Sequence, residues 1–224
     1  MSNKKKSPAS TEEEVHEALS KSEAFIEKNI RPILITVSII IVIILGILGV
    51  KNFYIIPQNK AAAEKMVFAQ EAFAKDNFAI ALNGDEVNDG FLTIMDDYGV
   101  TKSADLAAYY AGVCSYKLGK FEDAIKYLKK GDIQSINFQP VSLGLIGDSY
   151  VALDDVKTAV GYFEKAAAYD NKMTAPVYLK KAGLAYEKLG QPQKALASYQ
   201  TIKDKYFDTQ SGQMIDKYIQ RVSQ

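Results

Sequence analysis

Residues Ile33 to Val50, ILITVSIIIVIILGILGV, carry no charged side chain. Fourteen of the eighteen are Ile, Leu or Val, and the only polar groups are Thr36 and Ser38. Their hydroxyls are expected to bond back to carbonyls one turn earlier, so they do not oppose burial in lipid. As a helix rising ~1.5 Å per residue, the run measures roughly 27 Å, close to the hydrocarbon thickness of a bilayer. Ile, Leu and Val each favour the centre of such a helix by roughly 0.3–0.6 kcal/mol. Core helices of soluble proteins are usually shorter or interrupted by polar residues. The run therefore predicts a single transmembrane helix, with an arm before it (residues 1–31) and a soluble region after it (residues 51–224).

The flanks separate an anchor from a cleaved leader. A signal peptide has an apolar region of ~7–15 residues behind a short basic start, with a small-residue cleavage site close after. Here about thirty polar residues come first, and the nearest Ala-x-Ala, Ala61–Ala63, lies well beyond the apolar end. Residues 32–56 read as an uncleaved signal anchor and its flank, with Phe53 and Tyr54 at headgroup level. Lys and Arg occur six times in the arm, at 4, 5, 6, 21, 28 and 31, against Lys51, Lys60 and Lys65 just beyond the run. By the positive-inside rule the arm is expected in the cytoplasm and the soluble region outside it.

Within the arm, residues 1–10 are polar and expected to be disordered. Thr11 opens a T-E-E-E capping-box pattern with Glu14. From there Val15, Ala18, Leu19, Ser22, Phe25, Ile26 and Ile30 fall at helical spacing. This predicts an amphipathic helix leading to the membrane, either as a stem on its surface or as a docking face for a partner. His16, the one histidine of the chain, reads as a solvated face residue rather than a ligand.

Charge removes one class of function. The chain has 27 Lys+Arg and 27 Asp+Glu, and the balance holds separately in the arm and the remainder. Without a basic excess there is no electrostatic footprint for nucleic acid. Cys114 is the sole cysteine, so no internal disulfide can form.

The soluble region repeats. Gly112, Gly119, Ala124 and Leu128 align with Gly147, Asp154, Ala159 and Phe163, then with Gly183, Gly190, Ala195 and Tyr199. The alanines recur at intervals of 35 and 36 residues. Small residues at a helix centre and on its partner let two antiparallel helices approach closely. Large residues such as Tyr150, Phe163, Tyr186 and Tyr199 fill the gaps between pairs. Gly119 and Gly190 suit the left-handed position after a helix end, and Asp154 is tolerable there. The period and pattern resemble the tetratricopeptide repeat family. The expected fold is all-α, a repeat solenoid after the transmembrane helix, with repeats at about 105–138, 140–173 and 176–207.

A degenerate unit, 60–99, precedes them, with Ala69 and Ala81 at the Gly and Ala positions and its second helix interrupted at Asn83-Gly84-Asp85, resuming over Gly90–Tyr98. Asp85, Glu86 and Asp89 fit no calcium-loop spacing and read as turn residues. Residues 57–207 thus form the repeat domain. Residues 208–224 form a capping helix whose apolar face carries Met214, Ile215, Tyr218, Ile219 and Val222, covering an otherwise bare final pair.

Over nearly its whole length the chain resembles the YfgM-like family: bacterial inner-membrane proteins with a short cytosolic arm, one span and a periplasmic repeat domain. The segments KSEAFIEKN, Gly84 to Gly99, and IDKYIQR resemble its Bacteroidetes-type members. The resemblance implies an ancillary subunit of the SecYEG translocon. It would assist exported clients together with a membrane-anchored periplasmic chaperone, without catalytic residues, cofactors or small-molecule substrates.

The residues themselves favour a protein-binding module. Inner-helix positions expected to line its groove are Tyr109, Val113, Tyr116 and Lys117 in the first full repeat. The second supplies Gly144, Asp148, Val151 and Ala152, and the third Lys180, Leu184, Glu187 and Lys188. The first set is aromatic and apolar, although Tyr109 and Tyr116 also fit simple packing between repeats. The alternative is a cell-envelope scaffold that links division or wall-assembly proteins to the inner membrane. An enzyme is not expected. A hydrolase needs a positioned nucleophile and base, and the region beyond the apolar run has no histidine and only Cys114, on an apolar helix.

Overall fold

The computed structural model describes residues 8–131 and 138–223, with only the backbone of residues 8–18 and Ser22. It divides into two compact units, Met1–Tyr54 and Ile55–Gln224.

The first unit is one helix, α1 (Pro8–Val50), followed by a π-helical turn over Lys51–Ile55. The expected disorder of residues 1–10 lies outside the described residues up to residue 7. Pro8–Ser10, however, are already helical. Thr11 is thus inside the helix instead of capping it. Further along, Pro32 interrupts the helical bonding, and the Thr36 hydroxyl donates to the Pro32 carbonyl at 2.9 Å, the back-bond expected from sequence. The large apolar side chains from Leu34 to Val50 are 46–68% exposed, on every face of the helix. It is the one helix among the described residues long and apolar enough to cross a membrane.

The second unit is built of helices: α2 (Ile56–Ala74), α3 (Phe78–Asn83), α4 (Phe91–Asp97), α5 (Lys102–Lys117), α6 (Phe121–Lys130), α7 (Phe138–Ala152), α8 (Val156–Ala167), α9 (Ala175–Lys188), α10 (Pro192–Lys205), α11 (Gln210–Gln213) and α12 (Asp216–Val222). Three antiparallel pairs, α5/α6, α7/α8 and α9/α10, stack in chain order and form a tetratricopeptide-repeat solenoid.

The spacing found in the sequence is the steric register of these pairs. Each central glycine lies under one large residue sixteen positions on. A Cβ built on Gly112, Gly147 or Gly183 would meet Leu128, Phe163 or Tyr199 at 2.4, 2.5 or 2.2 Å. Ala124, Ala159 and Ala195 are fully buried beside these contacts.

The turns within pairs share one geometry. Gly119, Asp154 and Gly190 have φ of 75°, 62° and 67°. The next residue's N–H reaches back to Ser115, Tyr150 or Tyr186 at 2.8–2.9 Å, closing each helix with a Schellman motif. Asp154 pairs with Lys188 at 2.6 Å, an exposed contact of little energetic weight. A left-handed conformation costs a residue with a Cβ about 1 kcal/mol. Asp154→Gly is therefore expected to raise the thermal midpoint of the domain, as a calorimetric scan would show.

The degenerate unit keeps the same register. Ala69 and Ala81 are fully buried, and Asp76 between them has φ of 58°, with the Asn77 N–H bonded to Ala72 O at 2.9 Å. Its second helix is split into α3 and α4 by a loop closed by the Gly84–Asp89 bridge. Within that loop Asp85 Oδ1 accepts from the N–H groups of Val87 (2.9 Å) and Asn88 (2.7 Å), while Asp89 pairs with Lys65 on α2. The two carboxylates thus serve separate structural contacts.

The C-terminal cap is two helices where one was expected. Thr209 caps α11, its hydroxyl accepting from Gly212 N–H at 3.1 Å, and the chain turns again at Met214 before α12. This break turns Ile215 fully into the core and leaves Met214 exposed. Tyr218, Ile219 and Val222 pack half-buried against the core of the last pair.

Candidate protein-binding groove

The inner helices α5, α7 and α9 present the expected groove positions, which differ in availability. In α5, Tyr109 is half-buried, edge-on to Tyr110 (5.6 Å) and Phe138 (5.3 Å), and burial pushes its hydroxyl above the usual tyrosine range. Val113 is buried. Tyr116 is half-buried, edge-on to Phe121 at 5.7 Å, and Lys117 is exposed, 6.0 Å from the Phe78 ring.

In α7, Gly144 is covered. A Cβ there would lie 2.0 Å from Cε1 of Tyr178, so the next repeat's ring rests on it. Val151 and Ala152 are exposed. In α9, Glu187 accepts bonds from the Tyr199 hydroxyl and from Arg221 (2.7 Å), which ties it to the cap. Lys180 lies 5.9 Å from the Tyr218 ring.

Four expected residues converge: Asp148, Val151, Leu184 and Lys188 line a crevice of about 250 Å³ between the second and third repeats. Its remaining lining, Val156, Phe163, Lys181 and Ala185, escaped the sequence reading. Lys181 Nζ bonds both Asp148 oxygens, at 2.6 and 2.8 Å. That contact lies one helical turn from the aligned position, so periodicity alone does not reveal it. Phe163 was legible only as a filler between helices, yet its ring also bounds the crevice. Tyr109, Val113, Tyr116 and Lys117 stand outside it.

An apolar lining of Val151, Val156, Phe163 and Leu184, edged by a paired Asp148–Lys181 and by Lys188, can seat one apolar side chain of a peptide. Charges at such a rim steer specificity more than affinity. The one thiol is shielded from solvent. Cys114 is fully buried in the core of the degenerate unit and first repeat, and burial pushes it up to about 12. N-ethylmaleimide is expected to leave Cys114 unmodified in the folded protein and to label it fully in guanidinium, which mass spectrometry would read.

The tetratricopeptide repeat model matches residues 106–130 and 179–206, parts of the first and third full repeats. No curated protein matches the chain.

Proposed function

We propose that this protein is a membrane-anchored, non-enzymatic protein-binding module of the bacterial cell envelope. Ile33–Val50 spans the inner membrane, residues 1–31 remain cytoplasmic and the repeat domain stands in the periplasm. The observation that carries the binding role is the open crevice between two tetratricopeptide repeats, on the inner-helix face. Tyr116 and Lys117 extend that face toward the first repeat, with Tyr109 as its packed aromatic support. The partner is the Sec translocon, and the module assists exported clients together with a membrane-anchored chaperone. The family resemblance supports this partner, and the six-to-three basic bias supports the topology.

Protease added to spheroplasts tests the topology: the repeat domain should be digested and the arm spared. Crosslinking in intact cells followed by identification of partners tests the assignment. Translocon and chaperone subunits are the expected set. Division or wall-synthesis proteins in their place would transfer the module to an envelope scaffold, and digestion of the arm with protection of the repeats would overturn the topology.

A further inference from the structure

The two edges of the solenoid differ. At one edge lie the turns inside pairs, Asp76–Asn77, Gly119–Lys120, Asp154–Asp155 and Gly190–Gln191, polar or glycine at their tips, with Leu118 and Leu153 before two of them only 38% and 37% exposed. The connections that lead into α5, α9 and α11 lie at the opposite edge, because successive helices run antiparallel. Each carries a large apolar side chain in solvent: Val100 is 63% exposed, Met173 83% and Phe207 69%.

Core packing does not place them there. Neighbouring residues make the core contacts: Thr101, Ala175 and Tyr206 are all buried. These connections are also well tied. Thr101 caps α5, accepting from Ala104 N–H at 3.1 Å. Lys172 pairs with Asp208 at 2.9 Å, joining the connection of Met173 to that of Phe207. The Tyr206 hydroxyl also donates to Asp170. The apolar tips are therefore displayed on fixed backbone.

The chain enters the repeat domain at this same edge. Asn59, near the start of α2, accepts from the Ser103 N–H at 3.0 Å through its side chain and from the Ser103 hydroxyl at 3.2 Å through its carbonyl. The N-terminus of α2 thus lies beside that of α5, and the residues before α2 are those that follow the apolar helix in sequence.

We infer that this edge of the solenoid rests on the lipid surface, with Met173 and Phe207 entering the boundary between headgroups and acyl chains. The inference builds on the reading of Ile33–Val50 as a span. A covalent tether at the same edge holds the tips at high effective concentration near the bilayer, so contacts too weak to recruit a free domain suffice. Charge at the tips is balanced: Lys172 is paired with Asp208, and Lys205 follows Asp204. The contact is therefore apolar insertion and is expected to persist in high salt. Resting on the membrane by this edge leaves the inner-helix face open to a partner.

The chain has no tryptophan, so single tryptophans report cleanly. The full chain carrying Ile41→Trp, Met173→Trp, Phe207→Trp or Lys120→Trp is placed in phosphatidylethanolamine/phosphatidylglycerol vesicles, with and without bromine on the acyl chains. Interfacial side chains reach ~5–10 Å into the boundary, so about twofold quenching is expected at 173 and 207. Ile41→Trp should be quenched more strongly, and Lys120→Trp at the polar edge left unchanged. Quenching at 41 with none at 173 and 207 overturns the inference while the span stands, and assigns the tips to a protein contact. Equal quenching at 120 and 207 overturns it too, because no edge is then preferred. No quenching at 41 overturns the span reading, and this inference with it.

Discussion

Gly183→Ala is expected to lower the thermal midpoint of the repeat domain, while Gly161→Ala raises it. Both glycines are helical, so backbone propensity alone would favour alanine at both by about 0.5–1 kcal/mol. Packing reverses the sign at one of them. The new Cβ at 183 would lie 2.2 Å from Cε1 of Tyr199, and that ring is fully buried, with its hydroxyl bonded to Glu187. Neither ring nor helix can yield without opening the α9/α10 contact. Overpacking of this kind costs ~1–3 kcal/mol, and a domain of this size loses roughly 2–4 °C per kcal/mol. At Gly161 nothing lies within 4 Å of the added Cβ. Leucine at 183 should abolish cooperative unfolding altogether. Equal shifts for the two alanine variants would show that the glycine contacts do not hold the helix pairs together.

Exchanging Ile33–Val50 for a polar helix is expected to move the protein from the membrane pellet to the soluble fraction. Fourteen Ile, Leu and Val residues occupy this run. At ~0.3–0.6 kcal/mol each near a helix centre, they favour insertion by roughly 4–8 kcal/mol. No packing in the unit competes for them, since their side chains stand exposed on all sides. The repeat domain should keep its melt in the exchanged protein, because its cores draw on residues from Ala62 onward. Persistence of the exchanged protein in carbonate-washed membranes would place the anchor elsewhere.

The same physics explains what was legible in the sequence. The period, the glycine positions and the antiparallel pairs could be read because close helix approach demands small residues at fixed places. Asp154 was placed in its left-handed turn by alignment with Gly119 and Gly190. The equivalent Asp76 went unnoticed because the degenerate unit lacks a glycine to mark it. Contacts between repeats were less legible. Gly144 was expected in the groove but lies under Tyr178, and Lys181 rather than an aligned residue reaches Asp148. Both depend on the rotation of one pair against the next, which a one-dimensional period does not encode. The break between α11 and α12 falls at Met214, inside a stretch whose apolar spacing alone reads as one helix.

On the proposed function, the inner-helix face, at the crevice between the second and third repeats, holds a protein partner. A photoreactive amino acid at Leu184, in the full chain in intact cells, tests it most directly. Leu184 lines the crevice, and Lys126 on α6 is an exposed position outside it. A discrete protein adduct is expected from position 184, and none from position 126. No adduct from 184, or the same pattern from both positions, would contradict it.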